Sequence, residues 1–407
     1  MNILIINHYA GSPDLGMEFR PFYLAREWQK MGHEVLIVGG TYSHLRKKQP
    51  AAGLEVIDNI PYFWLKTLKY KGNGLKRFLS MIQFTLKLIL CKKFFLKNFN
   101  PDVVIASSTY TIDNFAAKNI AKKYNAKYIY EIHDLWPLSP MELGGMSKYH
   151  PFIMLMQWGE NFAYKYCDAV VSMLPNAKNH CVEHGLEEDK FHYVPNGIVL
   201  EDWNNAHPIP EKLQNRCNEL KAQHAFIVGY AGGHALSNAL NILIDAAKLL
   251  QQYHDIKFFL VGSGVEKNQL IKQAEGMSNV IFEDSVPKLA IPNLLKEFDV
   301  GVFGAQKCEI YQYGVSFNKM FDYMMAEKSI IQYIETIPDI AKIASCGITV
   351  EPDNPQALAG AILRLKQMPE EERRKLGGNG RQFVLKEHTY SVLSERFINI
   401  MQIKIFS

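Results

Sequence analysis

The segment GVSFNKMFDYMM, Gly314 to Met325, puts Ser316, Asn318 and Lys319 in a polar turn just before an apolar run that holds one acid, Asp322. Such a set suits an anionic ligand that also carries hydroxyl groups. Backbone N–H groups at a helix start bear partial positive charge and a lysine adds a full one, so a phosphate is the natural guest. Ser316 and Asn318 are good N-cap types for a helix beginning near Lys319. Asp322, about one helical turn beyond Lys319 on the same side, is suited to accept hydrogen bonds from ribose hydroxyls. Together these residues would grip a nucleoside diphosphate. The alternative reading is an ordinary helix cap with an i, i+3 Lys and Asp pair on a solvated face.

Two further segments carry candidate chemistry. In YAGGHALSNAL, Tyr230 to Leu240, Gly232 and Gly233 end a buried strand where a helix must start, so backbone can approach a diphosphate with no Cβ in the way. His234 is either a ligand contact or a turn histidine. In EIHDLWPLSP, His133 follows a strand end, and Pro137 and Pro140 prevent an immediate helix, which sets His133 at the rim of the N-terminal sheet. His133 and Asp134 are not two members of a triad, because adjacent side chains on a strand point to opposite faces. The chain has no GxxxxGK[ST] loop, no HExxH, no GxSxG and no Asp-x-Asp pair. A diphosphate must therefore be met by backbone amides, Lys319 and histidine, and neither a metal nor a cofactor is expected.

These residues need a scaffold of strand ends, and the chain provides one. NILIIN reads as a buried strand, HYAGSPDLG as a loop, MEFRPFYLAREWQKMG as a helix closed by Gly32, and HEVLIVGG as a second buried strand. Continuous apolar strands alternating with helices indicate a parallel sheet covered on both faces. The pattern continues through PDVVIASS, a helix Asn114 to Tyr124, AKYIYEIHD and DAVVSML, turns polar from Asn204 to His224 as an expected linker, and restarts at AFIVGYAGG. The fold class is α/β: two Rossmann-like doubly wound domains facing a central cleft, with ligand at the carboxyl ends of both sheets.

Composition narrows the function. The 407 residues are 48% apolar and 21% charged, which excludes a disordered chain, and no stretch reaches the roughly 20 apolar residues of a membrane span. Cys91, Cys167, Cys181, Cys217, Cys308 and Cys346 are scattered and read as reduced thiols. The N-terminal apolar run is too short for a signal peptide and has no basic leader, so a cytoplasmic location is expected. From Asn59 to Pro101 there is no acidic residue, while lysines crowd segment 66–97. Within it Leu79, Ile82, Leu86 and Ile89 recur at helical spacing, which points to an anionic membrane surface. The run is too apolar for a phosphate-tracking groove, so nucleic acid is not an expected partner. A core helix with solvated ends is the other reading.

The ordered motifs NHYAGSPDLGMEFRPFYLAREWQKMGHEV, YEIHDLWP, VPNGI, YAGGHALSNAL, FFLVGSG and GVSFNKMFDYMMAEKSII resemble the glycosyltransferases of GT-B fold, specifically the large retaining family 4. Within it the chain looks most like the bacterial branch of O-antigen and capsule N-acetylfucosaminyl-type transferases. The resemblance implies an acceptor domain, 1–203, joined by a C-terminal crossover helix, 388–407, and a donor domain, 204–387. It implies a nucleotide-sugar donor, UDP favoured, and a lipid-linked or glycan acceptor, with the protein peripheral at the inner face of the plasma membrane. By the same resemblance Asp322 holds the donor ribose, Ser316, Asn318 and Lys319 meet sugar and diphosphate, and His133 lies near the transferred sugar. Gly16 lets backbone approach diphosphate or acceptor, and Arg20 is a candidate acceptor contact. The family's two glutamates appear here as Gly314 and Asp322, and its Arg and Lys diphosphate pair aligns with Gly233 and Asn238. Lys319 with His234 is the expected substitute. Two other readings remain, a catalytically silent nucleotide-binding partner and a non-hydrolysing nucleotide-sugar epimerase.

Overall fold

The computed structural model describes residues 1–403, and the chain divides into two units, Met1–Asn196 with the segment from Tyr390 onward, and Gly197–Thr389. The first unit is built on an eight-stranded sheet of β1 (Asn2–Ile6), β2 (Glu34–Gly40), β3 (Gly53–Ile57), β4 (Ile60–Leu65), β5 (Val103–Ala106), β6 (Lys127–Ile132), β7 (Ala169–Ser172) and β8 (Phe191–Tyr193). Its order is β3-β4-β2-β1-β5-β6-β7-β8, parallel throughout except for the antiparallel pair β3 and β4. The second unit has β9 (Phe226–Ala231), β10 (Ile256–Val261), β11 (Val280–Glu283), β12 (Val300–Gly304), β13 (Ser329–Tyr333) and β14 (Gly347–Val350), all parallel, in the order β11-β10-β9-β12-β13-β14.

In each sheet the first strand lies inside, with later strands added on both sides. Sheet growth reverses between β1 and β5, and again between β9 and β12. The helices following the two strands leave on opposite faces, which opens a crevice at the carboxyl ends where α/β proteins bind ligands. The strands are apolar on both faces because both are covered. Ile227 and Ala231 of β9 pack with Phe259, Phe303 and the helix Asn318–Met325, whereas Val228 and Tyr230 pack with Phe258, Val302 and the helix Leu240–Leu249.

The segment expected as a linker is not one. Residues Glu211–Ala222 form a helix whose Leu213, Cys217 and Leu220 are buried. Their i, i+4, i+7 spacing is a helical stripe that the surrounding polar residues obscured. The chain enters the second unit beside the point where it leaves: the Ile198 N–H donates to the His388 carbonyl at 2.7 Å, and Ile198 and Thr389 form a parallel bridge.

The last helix, Tyr390–Gln402, belongs to the first unit; the end of the segment expected as a crossover helix, 404–407, lies outside the described residues. Phe397 meets the edge of Trp28 with ring centroids 5.2 Å apart, and Trp28 Nε1 donates to the Ser394 carbonyl at 3.2 Å.

Candidate functional site

The helix Asn318–Met325 is set by its apolar residues. Met320, Phe321, Tyr323, Met324 and Met325 are buried, and what remains is a stripe of Asn318, Lys319 and Asp322 on the other face. The expected cap is corrected. Phe317, rather than Ser316 or Asn318, stands at the N-cap, and its side chain makes no cap hydrogen bond. Ser316, half-buried, lies just ahead of the helix.

Lys319 turns toward the loop after β9. Its Nζ donates to Asn238 Oδ1 and, at 3.3 Å, to Tyr230 Oη, and lies 5.1 Å and 5.5 Å from the Tyr230 and Phe317 ring centroids. Burial pulls its pKa down to about 8. Its partners are themselves fixed: Tyr230 Oη and Asn238 Nδ2 both donate to the Gly233 carbonyl, at 2.7 Å and 2.9 Å. Gly233 is exposed, and a Cβ added there would meet nothing within 4 Å, whereas one on Gly232 would come 3.0 Å from Tyr230 Oη. The structure therefore gathers Gly232, Gly233, Asn238 and Lys319 at one loop beside the β9–β12 reversal.

Lys319 and Asp322 do not pair, which removes the solvated i, i+3 reading. Among the described residues no side chain hydrogen-bonds the Asp322 carboxylate. Burial raises its pKa to about 6, Lys288 pulling it back and Asp202 adding to the rise. Lys288 is itself 3.6 Å from Asp202.

His234 is corrected as a partner for Lys319. It is fully buried, and its two ring nitrogens have no hydrogen-bond partner among the described residues. Burial, then Lys267, pushes its pKa down to about 4, so it carries no charge at neutral pH. The reason is packing: its ring stacks on Tyr230 and meets the edge of Phe282, and its backbone lies so close to Gly264 that a Cβ there would be 2.2 Å from the His234 carbonyl oxygen.

In the first unit His133 follows β6, and its side chain is 7% exposed. Nε2 lies 2.9 Å from Ser107 Oγ and 3.1 Å from Glu131 Oε2, while Ser107 Oγ donates to Glu131 Oε2 at 2.6 Å. Burial raises the Glu131 carboxyl, but Arg20 and His133 outweigh it and hold the pKa near about 2. The ring is thus held with Nε2 against a permanent anion. The strand ends are tied at the β1–β5 reversal, where Asn7 Nδ2 donates to the Ser107 carbonyl at 2.7 Å and the His8 N–H to Ser108 Oγ at 3.0 Å. Glu131 was readable in the sequence, since i and i+2 on a strand share a face.

The expectation for Arg20 does not fit its position. It is 1% exposed, its Nε donates to Glu131 Oε1 at 2.9 Å, and its two terminal nitrogens donate to the carbonyls of Pro195 and Val194. A guanidinium so committed holds Glu131 in place. Gly16 is explained by internal packing as well: φ is +111°, it closes a turn with Ser12, and a Cβ would lie 2.9 Å from the Lys47 backbone nitrogen.

The basic stretch forms the helix Leu75–Leu90, which buries Met81, Phe84 and Leu88 and leaves Leu75, Leu79, Leu86 and Leu90 exposed, with Phe94 beyond. Of the stripe expected at Leu79, Ile82, Leu86 and Ile89, Leu79 and Leu86 are exposed and Ile82 and Ile89 are half-buried. No helix among the described residues is long and apolar enough to cross a membrane.

Residues 16–202 match Glycosyltransferase Family 4 and residues 225–367 match Glycosyl transferases group 1, so the chain consists of two glycosyltransferase-family domains with the GT-B fold. Solved structures of that fold include sucrose-phosphate synthase from Thermosynechococcus elongatus, with a TM-score of 0.74, 16% identity and 98% of each chain covered. Anabaena Alr3699/HepE in complex with UDP-glucose has a TM-score of 0.68 at 13% identity, again over 98% of each chain. WaaG, a glycosyltransferase involved in lipopolysaccharide biosynthesis, has a TM-score of 0.68 at 14% identity over 99% of this chain and 100% of its own. At these identities the likeness establishes fold. No curated protein sequence matches the chain.

A raised carboxyl pKa means that the folded state binds more protons than the unfolded state between the unfolded value, about 3.9, and the folded one. The cost of the charged Asp322 is absent below about pH 4 and complete above pH 6. Asp322→Asn is therefore expected to stabilise the ligand-free second unit at pH 7, by an amount on the order of 2 kcal/mol, and to have little effect at pH 4. Denaturant unfolding at the two pH values checks this; a destabilised variant at pH 7 would contradict it.

Proposed function

We propose that the protein is a retaining glycosyltransferase that moves a sugar from a nucleotide-diphosphate sugar to a lipid-linked or glycan acceptor in surface polysaccharide synthesis. The observation that carries this reading is the Lys319 ammonium, half-buried among neutral groups at a helix start. In the family's usual arrangement the diphosphate is gripped by a basic pair from the β9 loop. Here Asn238 stands at one of those positions, and Lys319 brings its charge to Asn238 from the neighbouring helix. That contact supports Lys319 as the replacement cation.

Roles follow from the chemistry. When the bond from sugar to phosphate breaks, charge builds on the leaving diphosphate, and the Lys319 ammonium and first-turn N–H groups are placed to stabilise it. Asp322 accepts hydrogen bonds from the ribose. His133, its Nε2 held by Glu131 and Ser107, presents its other nitrogen toward the transferred sugar or acceptor. Retention, UDP as carrier and the O-antigen or capsule setting rest on the family resemblance, and UDP also accords with Alr3699/HepE having been solved with UDP-glucose. The donor site needs no metal in this reading.

Thermal-shift titration with UDP, GDP and ADP, with and without EDTA, tests the reading. Selective stabilisation by UDP is expected, unaffected by EDTA and lost in Asp322→Ala; no stabilisation by any nucleotide would sink it. Lys319→Ala is expected to lower kcat for UDP release from the donor sugar at least about 100-fold, which corresponds to about 2.7 kcal/mol of transition-state stabilisation. Near-normal turnover would remove Lys319 from catalysis. Nucleotide binding without turnover by the wild-type protein would identify a silent partner instead.

We also infer that the outer face of the helix Leu75–Leu90 rests on an anionic membrane surface, because Leu79, Leu86 and Leu90 are exposed beside Lys76, Lys87, Lys92 and Lys93 in a stretch free of acids. The protein should sediment with vesicles containing anionic phospholipid. Leu86→Glu combined with Phe94→Glu should cut the bound fraction at least about five-fold. Equal sedimentation of the variant would exclude this face.

A further inference from the structure

We propose that Glu160, His180 and His184 form a binding site for one divalent ion of the zinc class, in the first unit and separate from the donor loop. Glu160 lies on the helix Pro151–Tyr166, and His180 on the helix Lys178–Glu183, which His184 closes. One ligand atom from each of the three residues lies within 4.8 Å of the other two.

The i, i+4 spacing sets both imidazoles on one face of their helix, with ring centroids 4.2 Å apart and planes inclined by 32°. Glu160 meets them from the other helix, its Oε1 2.9 Å from His180 Nε2. His184 Nδ1 lies 2.8 Å from the His180 carbonyl, and a carbonyl only accepts, so Nδ1 carries the proton and Nε2 holds the lone pair. A backbone carbonyl behind a histidine is the support that metal-bound imidazoles use to fix tautomer and orientation. The carboxylate is braced too, by Tyr164 Oη donating to Oε1 at 2.9 Å and Gln157 Nε2 donating to Oε2 at 2.7 Å.

Two nitrogens and one carboxylate suit zinc with an open fourth position, and they are too few oxygens for calcium or magnesium. Glu160 and His180 are buried and His184 is half-buried, which leaves an entry route for the ion and a place for a water ligand. Ideal Zn–N and Zn–O bonds of about 2.0–2.1 Å place ligand atoms about 3.4 Å apart. The Glu160–His180 pair already approximates that separation. On binding, the ion takes the place of the proton between His180 Nε2 and Glu160 Oε1, and that proton moves to Nδ1, so His180 binds through Nε2 as a neutral imidazole.

Hydrogen bonding alone accounts for Tyr164, Glu160 and His180, but among the described residues it gives His184 Nε2 no partner. The ion would clasp the two helices on either side of β7. This role is independent of the donor reading, whose metal-free expectation concerns the diphosphate. From the sequence only the His180 and His184 spacing is visible, because Glu160 joins them through the fold.

The test uses the untagged full chain, stripped with chelator and titrated with Co²⁺. One equivalent should bind with the intense visible band of a four-coordinate site, and Zn²⁺ should displace it. Zn²⁺ in hundredfold excess over its Kd should raise Tm by at least about 3 °C. Glu160→Gln and His184→Ala should each weaken binding at least about ten-fold. His184→Ala, at a half-exposed position that keeps the core intact, should lose the Tm rise while donor turnover is unchanged. Absence of stoichiometric Co²⁺ binding, or undiminished affinity in Glu160→Gln, would overturn the three-residue site; the second result would leave only a histidine pair.

Discussion

The Lys319 ammonium sits against an amide oxygen, a phenol and two aromatic rings, and among the described residues no carboxylate neutralises it. Burial lowers its pKa to about 8, so near neutral pH most molecules carry a partly desolvated charge with no carboxylate beside it among the described residues. Asp322 on the same stripe is strained in the opposite sense, raised to about 6 and hydrogen-bonded by no side chain among the described residues. A cation and an acid a turn apart could have cancelled each other on the surface. Holding them apart, each destabilised, makes sense when an anionic, hydroxyl-bearing ligand satisfies both.

What fixes this arrangement is apolar packing around the β9–β12 reversal. Burial of Met320, Phe321, Tyr323 and Met324 sets the rotation of the helix Asn318–Met325, and the Ala231 N–H donating to Tyr323 Oη at 2.8 Å pins that helix to the end of β9. The partner loop is braced from the other side, where Tyr333 Oη donates to the Asn238 carbonyl at 3.0 Å. Gly301 and Gly304 permit the close approach: a Cβ at either would lie 2.6 Å or less from the ring of Tyr323 or Tyr333. Tyrosines thus carry each strand end to its loop, and an aromatic body with a polar tip suits that place.

Much of the fold was legible, because continuous apolar strands and helical periodicity are local signals. The strands from NILIIN to DVGVFG and the final helix follow from them directly. The helix Glu211–Ala222 was hidden because its three buried residues are diluted by charge and preceded by Pro208 and Pro210. In the site, residue types pointed to Lys319, Asp322, the two glycines and His133, yet their partners come from distant strands. Asn238 and Tyr230 reach Lys319 only through the sheet order, and Arg20 meets Glu131 across more than a hundred residues. Arg20 and His234 show the limit most clearly: both are polar residues in motif segments, and only packing reveals that one holds an internal carboxylate and the other is walled in by backbone.

The most direct test of the central claim is the affinity for UDP, measured by calorimetry from pH 7 to 9.5 in the wild type and in Lys319→Met. An anion favours the charged lysine, so affinity is complete below the free pKa and is lost as pH rises through it. The wild type should weaken on the order of ten-fold between pH 7.5 and 9.5, with the variant weak and flat across the range. Wild-type affinity that does not change over that window would show that the Lys319 charge does not hold the diphosphate.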